Sequence, residues 1–364
     1  MRIGFFTETF YPQMNGVVTA IEGFGRELVK RGHEVHVFAP KADRREHYGM
    51  IVHSCSGITF KPYPEFKIAV PIGVKVPELD LVHTHGPFSM GIFGLKIAKK
   101  QKIPKVSTFH TLLSEYVIYL SRIGRRITEK IAEEYCNYHY KKYDAVTTPS
   151  KVIKDSLPPV IRRKATVIPN GVDLKFLRPV RKAKEKLGLE EFEKVYLCLG
   201  RLGYEKSIDD LIKAASYFLG DEDVLIIAGR GPAEKQLKEL VKKLKLRGKV
   251  KFAGFVAEKE KPLYYSAADL FITASTTETY GMTVIEAMAC GTPVVAADAS
   301  AFPELIIEGY NGYLFSPHDP KSLARVIKYH KFPRAMRKNA RKFAENYSHE
   351  KAGDLLEKVY FDLL

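Results

Sequence analysis

Two basic side chains flank a glycine-containing turn in the second half of the chain. Arg201 and Lys206 lie in the segment Gly200–Ser207, which follows the apolar run Val195–Leu199 and precedes a helical pattern. A guanidinium binds an anion through a bidentate fork and an ammonium binds it as a point charge, so the two together suit a diphosphate. A solvated basic loop is the alternative for this segment taken alone.

Two carboxylates separated by seven residues bracket a predicted helix start. Glu278 precedes Gly281 and Thr283, which are typical of the opening of a helix that runs to about Cys290, and Glu286 lies one turn inside it. Free amides and the dipole at a helix N-terminus bind phosphate. From these positions Glu286 could accept hydrogen bonds from ribose hydroxyls, and Glu278 would lie nearer a reacting sugar. A spaced pair of Glu residues alone also occurs on surface helices.

Glycines follow two other predicted strands. Gly16, next to Asn15, would let a ligand approach the backbone and would open a helix as another anion-binding N-terminus, although an ordinary strand–helix turn explains it equally well. The pattern is not G-x-G-x-x-G, which disfavours a dinucleotide-binding function. Gly229, in the segment Ala228–Pro232, is interpreted as part of a tight turn beside a nucleotide.

Three histidines lie at the ends of strands in the first half. His110 follows the run Lys105–Phe109, where it could hydrogen-bond a sugar hydroxyl or transfer a proton, or serve only the structure. His83 and His85 are two residues apart on a strand and share one face. That spacing could suit a metal ion, but no third or fourth ligand is evident nearby, so the sequence predicts no metal site.

The elements that position these loops alternate between short apolar runs and longer helical patterns. This alternation predicts an α/β fold with parallel sheets and right-handed crossovers, in which ligands bind at the carboxyl ends of the strands. The predicted strands are Ile3–Phe6, Val35–Ala39, Leu81–His85, Lys105–Phe109, Ala145–Thr148, Val195–Leu199, Val224–Ala228, Val250–Phe252, Leu270–Thr273 and Pro293–Ala296. The predicted helices include Val17–Arg31, Ser207–Leu219, Glu234–Leu246 and His349–Leu363.

The length of 364 residues is too great for one ordinary core and fits two domains. A hydrophobic content of 45% excludes disordered and collagen-like chains. We expect a first domain over residues 1–170, a linker in Asn170–Arg181 and a second domain over 171–348. The last helix, about 349–364, is expected to cross back to the first domain.

The net charge of +16 is unusual, and nucleic acid, an anionic membrane surface and an anionic substrate are all candidate partners that would explain it. Residues 1–170 carry 26 Lys and Arg against 15 Asp and Glu, and residues 171–364 carry 32 against 27. The excess therefore lies in the first half. There the segment Leu112–Thr128 combines apolar and aromatic residues, including Tyr116, with arginines, as an interfacial membrane helix does. A core-facing helix with a solvated basic side is the alternative.

The sequence disfavours a nucleic-acid partner, and it also disfavours a membrane-spanning or secreted protein. The chain has no RRM, KH or helix-turn-helix signature, so we expect no nucleic-acid partner. It has no membrane-spanning apolar run and no signal-peptide pattern, so a cytoplasmic protein is expected, with peripheral attachment to the inner face of the cell membrane as a hypothesis. Gln occurs only three times whereas Lys and Glu are abundant, a bias found in proteins of hot environments.

Together these segments resemble a retaining glycosyltransferase of family 4, with the GT-B fold of two facing Rossmann-like domains around a deep interdomain cleft. The resemblance extends over essentially the whole chain, and the last of the matching segments is the most specific. They are Pro12–Val17, His83–His85, Thr108–Thr111, Thr148–Ser150, Ile168–Asp173, Gly200–Ser207, Ala228–Pro232 and Glu278–Ala296.

The resemblance implies a role for each matching residue. In the family, the first Glu of the Glu-x7-Glu motif holds the donor sugar and the second holds the nucleotide ribose, which implies Glu278 and Glu286. Arg201 and Lys206 would bind the donor diphosphate. The remaining implied positions are the donor-side residues Gly16, Gly229, Tyr280, Gly281, Met282 and Thr283, and the acceptor-side residues Asn15, His110 and Tyr116. Many relatives have two glycines at the positions of Asn15 and Gly16. Asn15 departs from that family pattern and is expected to narrow the loop.

The implied reaction transfers a hexose from a UDP- or GDP-sugar to an acceptor hydroxyl with retention of configuration, without a cofactor or a metal. Several segments also resemble the synthases of membrane glycolipids, so a membrane lipid of diacylglycerol or archaeol type is the expected acceptor. A soluble sugar or polysaccharide acceptor and a GT-B nucleotide-sugar epimerase are the alternatives. The sequence does not distinguish uridine from guanosine donors, nor one hexose from another.

Overall fold

The computed structural model of the protein describes residues 1–13, 15–59, 67–110 and 125–364. The chain forms two compact units. Residues 1–171 and 349–364 make up the first unit, and residues 172–348 make up the second. Within the described ranges, no helix is both long and apolar enough to cross a membrane.

The first unit is built on a largely parallel sheet. Its strands are β1 (Arg2–Phe6), β2 (Glu34–Pro40), β3 (Glu46–His47), β4 (Met50–Thr59), β5 (Lys67–Val70), β6 (Leu81–Thr84), β7 (Lys105–Thr108), β8 (Ala145–Thr148) and β9 (Ala165–Val167). They are ordered β3-β4-β2-β1-β6-β7-β8-β9, with β5 antiparallel to β4. The described helices between them are α1 (Gly16–Lys30), α2 (Ser89–Gln101), α3 (Arg125–Tyr140), α4 (Lys151–Ser156) and α5 (Pro159–Arg162).

The second unit has a fully parallel sheet ordered β12-β11-β10-β13-β14-β15. Its strands are β10 (Lys194–Leu199), β11 (Asp223–Ala228), β12 (Val250–Gly254), β13 (Leu270–Thr273), β14 (Val294–Ala297) and β15 (Gly312–Phe315). Its helices are α6 (Ala183–Lys186), α7 (Ile208–Phe218), α8 (Glu234–Lys243), α9 (Lys261–Ala267), α10 (Met282–Ala289), α11 (Phe302–Leu305), α12 (Pro320–Tyr329) and α13 (Arg334–Ala344).

The last helix, α14 (His349–Phe361), returns to the first unit and packs on α1. Arg31 at the end of α1 forms ion pairs with Asp354 and Glu357 of α14, at 2.7 and 3.0 Å. Tyr360 is fully buried in the core of the first unit, where its hydroxyl contacts the ring of His83. These contacts attach the C-terminus to the first sheet.

Each sheet has one topological switch point, where the direction in which successive strands are added reverses. In the first unit the switch point lies between β1 and β6, and in the second it lies between β10 and β13. Ligands of doubly wound α/β folds bind outside the carboxyl ends of the strands at this position. The loops that follow these four strands are therefore where a site is expected.

Helices cover both faces of each sheet, which explains the continuous apolar sequence of the central strands. Four consecutive residues of β13 are buried, and so are the last five residues of β10 and β11. The second unit packs two apolar clusters, and Tyr265 and Phe271 are among the side chains completely enclosed there. The loops at the switch points are therefore attached to strands that are packed on both faces.

Candidate active site

The loops after β10 and β13 bring two of the predicted residues together at the second switch point. Lys206 follows β10, Glu278 follows β13, and the ammonium of Lys206 lies 2.5 Å from a carboxylate oxygen of Glu278. Both side chains are about one quarter exposed. The two residues are 72 positions apart in sequence and meet because β10 and β13 are neighbours in the sheet.

Arg201 lies in the same loop as Lys206 and forms a second ion pair. Its guanidinium donates to a carboxylate oxygen of Glu205 at 3.1 Å. The loop around it ends in a short 3₁₀ turn, Tyr204–Lys206. The site thus holds two half-buried cations, each beside a carboxylate, at the carboxyl end of the sheet. Sequence reasoning missed Glu205, although its position four residues after Arg201 is a typical ion-pair spacing.

The predicted helix after Glu278 is α10, and Gly281 is the residue that begins it. Gly281 has φ +92°, a left-handed conformation that glycine adopts without steric penalty. Met282 and Thr283 form the partly exposed first turn of α10. The side chain of Tyr280, which the resemblance places on the donor side, is buried, and its ring lies 6.2 Å from that of Tyr347 between centroids.

Glu286 lies on α10 as predicted, but its carboxylate is buried and already has protein partners. The Tyr265 hydroxyl donates to it at 2.7 Å and the Lys261 ammonium at 3.2 Å. Lys261 also pairs with Glu258 at 2.8 Å. Burial lowers the pKa of Lys261, whereas the charges of Glu286 and Glu258 raise it, and the net shift is upward. Sequence reasoning missed these partners.

Gly229 supports the loop that carries Arg201. Its amide donates to the carbonyl of Gly254 at 2.6 Å, and a Cβ added to it would lie 1.8 Å from the carbonyl oxygen of Gly200. The backbone amide of Leu202 in turn donates to the Arg230 carbonyl at 2.9 Å. The glycine is therefore required for close packing of two backbones beside the second switch point.

Asn15 and Gly16 begin α1 in the first unit. The side-chain oxygen of Asn15 accepts from the amides of Val17 and Val18 at 3.1 and 3.0 Å, which makes it a helix N-cap. Sequence reasoning treated Asn15 as a departure from a glycine pair and missed this role, although Asn before a helical pattern is an N-cap signal. Apart from its two chain neighbours and the nearby backbone of α1, no described residue has an atom within 4 Å of the position that a Cβ on Gly16 would occupy.

The capping role of Asn15 predicts a stability effect. Asn15→Ala is expected to lower the free energy of unfolding by about 1 kcal/mol, because two amides of α1 lose their acceptor. Asn15→Gly is expected to cost only a few tenths of a kcal/mol. Urea unfolding followed by circular dichroism measures both, with Ser150→Ala at the cap of α4 as the matched control. Equal stability of Asn15→Ala and the wild type would contradict the cap.

His110 lies beyond the end of β7 and is joined to His85, which follows β6. A hydrogen bond of 2.9 Å joins His110 Nε2 and His85 Nδ1, and burial lowers the pKa of His110 to about 3. His110 is therefore uncharged at neutral pH, which favours hydrogen bonding to a hydroxyl over proton donation. Sequence reasoning identified both histidines but not their contact.

His83 has a structural role. Its ring nitrogens contact the Tyr360 hydroxyl at 2.6 Å and the Thr108 hydroxyl at 2.7 Å, and it stacks on His85 with ring centroids 4.3 Å apart. Among the described residues, no group of three or more His, Cys, Asp or Glu side chains is arranged to hold a metal ion. Two of the three residues that contact His83, Tyr360 and Thr108, lie in elements distant from it in sequence. The His-x-His spacing alone therefore could not reveal the structural role of His83.

The buried histidines predict a loss of stability in mild acid. Burial keeps the pKa of His83 and His85 well below 6.5 and that of His110 at about 3. The unfolded state then binds more protons below pH 6.5, so stability falls as pH decreases, and His110 alone contributes about 2 kcal/mol of this loss at pH 5. Glu8 opposes this trend because burial raises its pKa to about 7.

Urea unfolding at pH 7.5 and pH 5 measures this effect. His83→Gln is expected to show a smaller pH-dependent loss of stability than the wild type. The exposed His330→Gln serves as the control. An unchanged pH slope in His83→Gln would show that His83 is protonated normally in the folded protein.

Tyr116 and most of the segment Leu112–Thr128 lie outside the described residues, so the structure does not bear on their predicted acceptor-side and membrane roles. Met14, within the first matching segment, and Thr111 also lie outside them. The helix α3 begins at Arg125.

The two Rossmann-like units and the site at the second switch point define a glycosyltransferase of the GT-B class. The family model "Glycosyltransferase Family 4" matches residues 14–176, and "Glycosyl transferases group 1" matches residues 179–346. The chain belongs to glycosyltransferase family 4. The fold class predicted from the sequence is confirmed.

Two relatives are similar over most of their length. The alpha-monoglucosyldiacylglycerol synthase of Streptococcus pneumoniae is 37% identical over 338 residues, which cover 88% of this chain and 76% of the relative. That of Acholeplasma laidlawii is 32% identical, and the match covers 100% of this chain and 98% of the relative. The crystal structure of Anabaena HepE in complex with UDP shares the fold, with a TM-score of 0.79, 21% identity and full coverage of both chains.

Proposed function

We propose that this glycosyltransferase moves a hexose from a nucleoside-diphosphate sugar to the hydroxyl of a membrane glycerolipid, with retention of configuration. The observation that carries the lipid acceptor is the similarity to two alpha-monoglucosyldiacylglycerol synthases, one of which is matched over nearly its whole length. We assign donor binding to residues 171–348 and acceptor binding to residues 1–170 with the helix 349–364.

The second switch point supplies the electrostatics that such a transfer needs. Cleavage of a sugar–diphosphate bond places negative charge on the leaving phosphate, and preorganised cations are the strongest means of stabilising it. Arg201, Lys206 and the first amides of α10 would meet this charge. Glu278, already beside the Lys206 ammonium, would hold the donor sugar, and Glu286 would receive the ribose hydroxyls.

Retention follows if the acceptor attacks the face of the sugar that the phosphate leaves. The new bond forms between the acceptor oxygen and the anomeric carbon while the bond from that carbon to the phosphate oxygen breaks. The acceptor proton then passes to the departing phosphate oxygen. This course needs neither an enzyme nucleophile nor a cationic histidine, which agrees with the low pKa of about 3 of His110.

Exposed apolar side chains beside basic residues support membrane association of the first unit. Ile131 and Tyr138 lie seven residues apart on one face of α3 and are 60% and 64% exposed. The Lys142 ammonium lies 3.7 Å from the centre of the Tyr138 ring. Amphipathic helices with exposed aromatic and basic residues bind the interface of anionic membranes.

A donor panel with lipid vesicles tests the proposed function. UDP-glucose, UDP-galactose and GDP-mannose are incubated with the protein and dioleoylglycerol in vesicles of phosphatidylglycerol or phosphatidylcholine. We expect nucleoside diphosphate release from one donor only when dioleoylglycerol is present, together with salt-sensitive sedimentation with the anionic vesicles. Release without any acceptor would favour an epimerase or hydrolase, transfer only to soluble sugars would overturn the lipid acceptor, and vesicle binding unaffected by salt or charge would overturn the membrane hypothesis.

A further inference from the structure

Both cations of the second switch point have carboxylate partners within the protein. Lys206 pairs with Glu278, which the proposed function assigns to the donor sugar. Arg201 pairs with Glu205 at 3.1 Å, and the proposed function gives Glu205 no part. A carboxylate beside the guanidinium that receives a diphosphate weakens the attraction for that ligand, because the two anions repel each other. Glu205 therefore lies where it opposes binding of the diphosphate.

Glu205 reaches Arg201 because the chain folds back over Gly203. The residues Tyr204–Lys206 form a 3₁₀ turn, in which the Lys206 amide donates to the Gly203 carbonyl at 3.2 Å. A Cβ added to Gly203 would overlap the carboxyl carbon and both carboxylate oxygens of Glu205. The carboxylate thus lies in the space that any side chain at position 203 would fill.

The backbone conformation of Gly203 does not require a glycine. Its φ of −88° and ψ of 157° are those of an extended residue, which any amino acid adopts. The three atoms nearest to an added Cβ all belong to the carboxylate of Glu205. The steric requirement for glycine at this position is therefore set by the room that this carboxylate needs.

The turn that carries Glu205 has attachments that do not involve its carboxylate. The Tyr204 hydroxyl donates to the Pro232 carbonyl at 3.2 Å, and the Thr277 hydroxyl donates to the backbone carbonyl of Glu205 at 3.4 Å. The side chains of Arg201 and Glu205 are 29% and 16% exposed, and partly exposed ion pairs contribute little to stability. The turn would therefore keep its place if the carboxylate left Arg201.

We propose that Glu205 is an internal competitor of the nucleoside diphosphate for Arg201, and that it lowers the affinity of the second switch point for this ligand. A guanidinium binds carboxylate and phosphate oxygens through the same N–H groups. Glu205 leaves Arg201 when the donor diphosphate binds and returns when the product departs. It thereby favours release of the nucleoside diphosphate, a step that limits turnover in many enzymes. This inference rests on the proposed function for the diphosphate, but it does not depend on the acceptor.

Calorimetric titration with UDP and with GDP tests the role of the charge. Glu205→Gln keeps the shape of the side chain and an acceptor for Arg201 but removes the negative charge. We expect it to lower the dissociation constant for the nucleoside diphosphate about tenfold, because one of two neighbouring negative charges is lost. Glu185→Gln on α6 is the matched control, since Glu185 also pairs with a lysine of the second unit. It is expected to change the constant less than about twofold.

Gly203→Ala tests the position of the carboxylate without changing any charge. The added Cβ would displace the Glu205 carboxylate from Arg201, so this variant is also expected to bind the nucleoside diphosphate more tightly than the wild type. In a protein that already carries Glu205→Gln, Gly203→Ala displaces an uncharged amide and is expected to change the dissociation constant less than about twofold. Full additivity of the two substitutions would overturn the competitor role.

The sign of the change in affinity distinguishes a competitor from an orienting residue. If Glu205 only oriented Arg201, Glu205→Gln would bind the nucleoside diphosphate as the wild type does or more weakly. Either result would overturn the proposal, even if Gly203→Ala did not fold. Wild-type protein that binds neither UDP nor GDP would overturn the proposed function and this inference with it. Tighter binding by Glu205→Gln would support the inference whether or not a lipid is glycosylated.

Discussion

Replacing Arg201 and Lys206 together with alanine is expected to lower kcat for hexose transfer about 10³-fold or more. Removing a single preorganised donor at a developing negative charge lowers kcat about 10²–10³-fold, and this variant removes two cations. Both side chains are held beside carboxylates, at 3.1 Å from Glu205 and 2.5 Å from Glu278, so the site is charged and ordered before the donor arrives.

The fold is expected to survive this double substitution, because both ion pairs are partly exposed and such pairs contribute little to stability. Nucleoside diphosphate release in the presence of acceptor measures the rate, and circular dichroism confirms folding. Lys213→Ala is the matched control, since Lys213 also pairs with acidic residues in the second unit but lies on α7. A double variant that retains activity within tenfold of the wild type would refute the diphosphate assignment.

Glu286→Ala is expected to lower both stability and nucleotide affinity. Its removal leaves Lys261, whose side chain is 17% exposed, with Glu258 as the remaining carboxylate partner. Breaking a buried ion pair by removing one member costs about 3 kcal/mol or more. Because stability and binding change together, loss of UDP affinity in this variant alone would not establish contact with the ribose.

A ribose analogue separates the two effects. If Glu286 receives the ribose hydroxyls, wild-type protein should bind UDP about tenfold or more tightly than 2′-deoxy-UDP, since hydrogen bonds to charged groups contribute about 1.5–3 kcal/mol. Glu286→Gln should lose much of this discrimination, whereas Tyr265→Phe, which removes a partner of Glu286 but not the carboxylate, should retain it. Equal discrimination by Glu286→Gln and the wild type would contradict the ribose role.

The central strands could be predicted from the sequence because they are buried on both faces. Leu270–Thr273 and Ala145–Thr148 were predicted with the bounds that β13 and β8 have. The strands β3, β4, β5, β9 and β15 were missed. In β4 the buried residues alternate with exposed ones, and β5 and β9 are only four and three residues long, so neither produces a distinct apolar run.

The sequence predicted the part of the candidate site that consists of residues following the ends of strands. Residues after adjacent parallel strands converge, and Lys206 and Glu278 do so. The partners of Glu286 were not predictable, because a lysine and a tyrosine on the short helix α9 become buried only through packing against α10. The contact of His85 with His110 likewise depends on β6 and β7 being neighbours, which the sequence does not state.

The anomeric configuration of the product distinguishes retaining synthesis of a glycolipid from the other reactions of a nucleotide sugar. The protein is incubated with UDP-glucose and dioctanoylglycerol, or with whichever donor the panel selects, and the product is analysed by proton NMR. We expect a hexosyl glycerolipid whose anomeric configuration is that of the donor sugar. A product of inverted configuration, or nucleoside diphosphate and free hexose without any glycolipid, would contradict it.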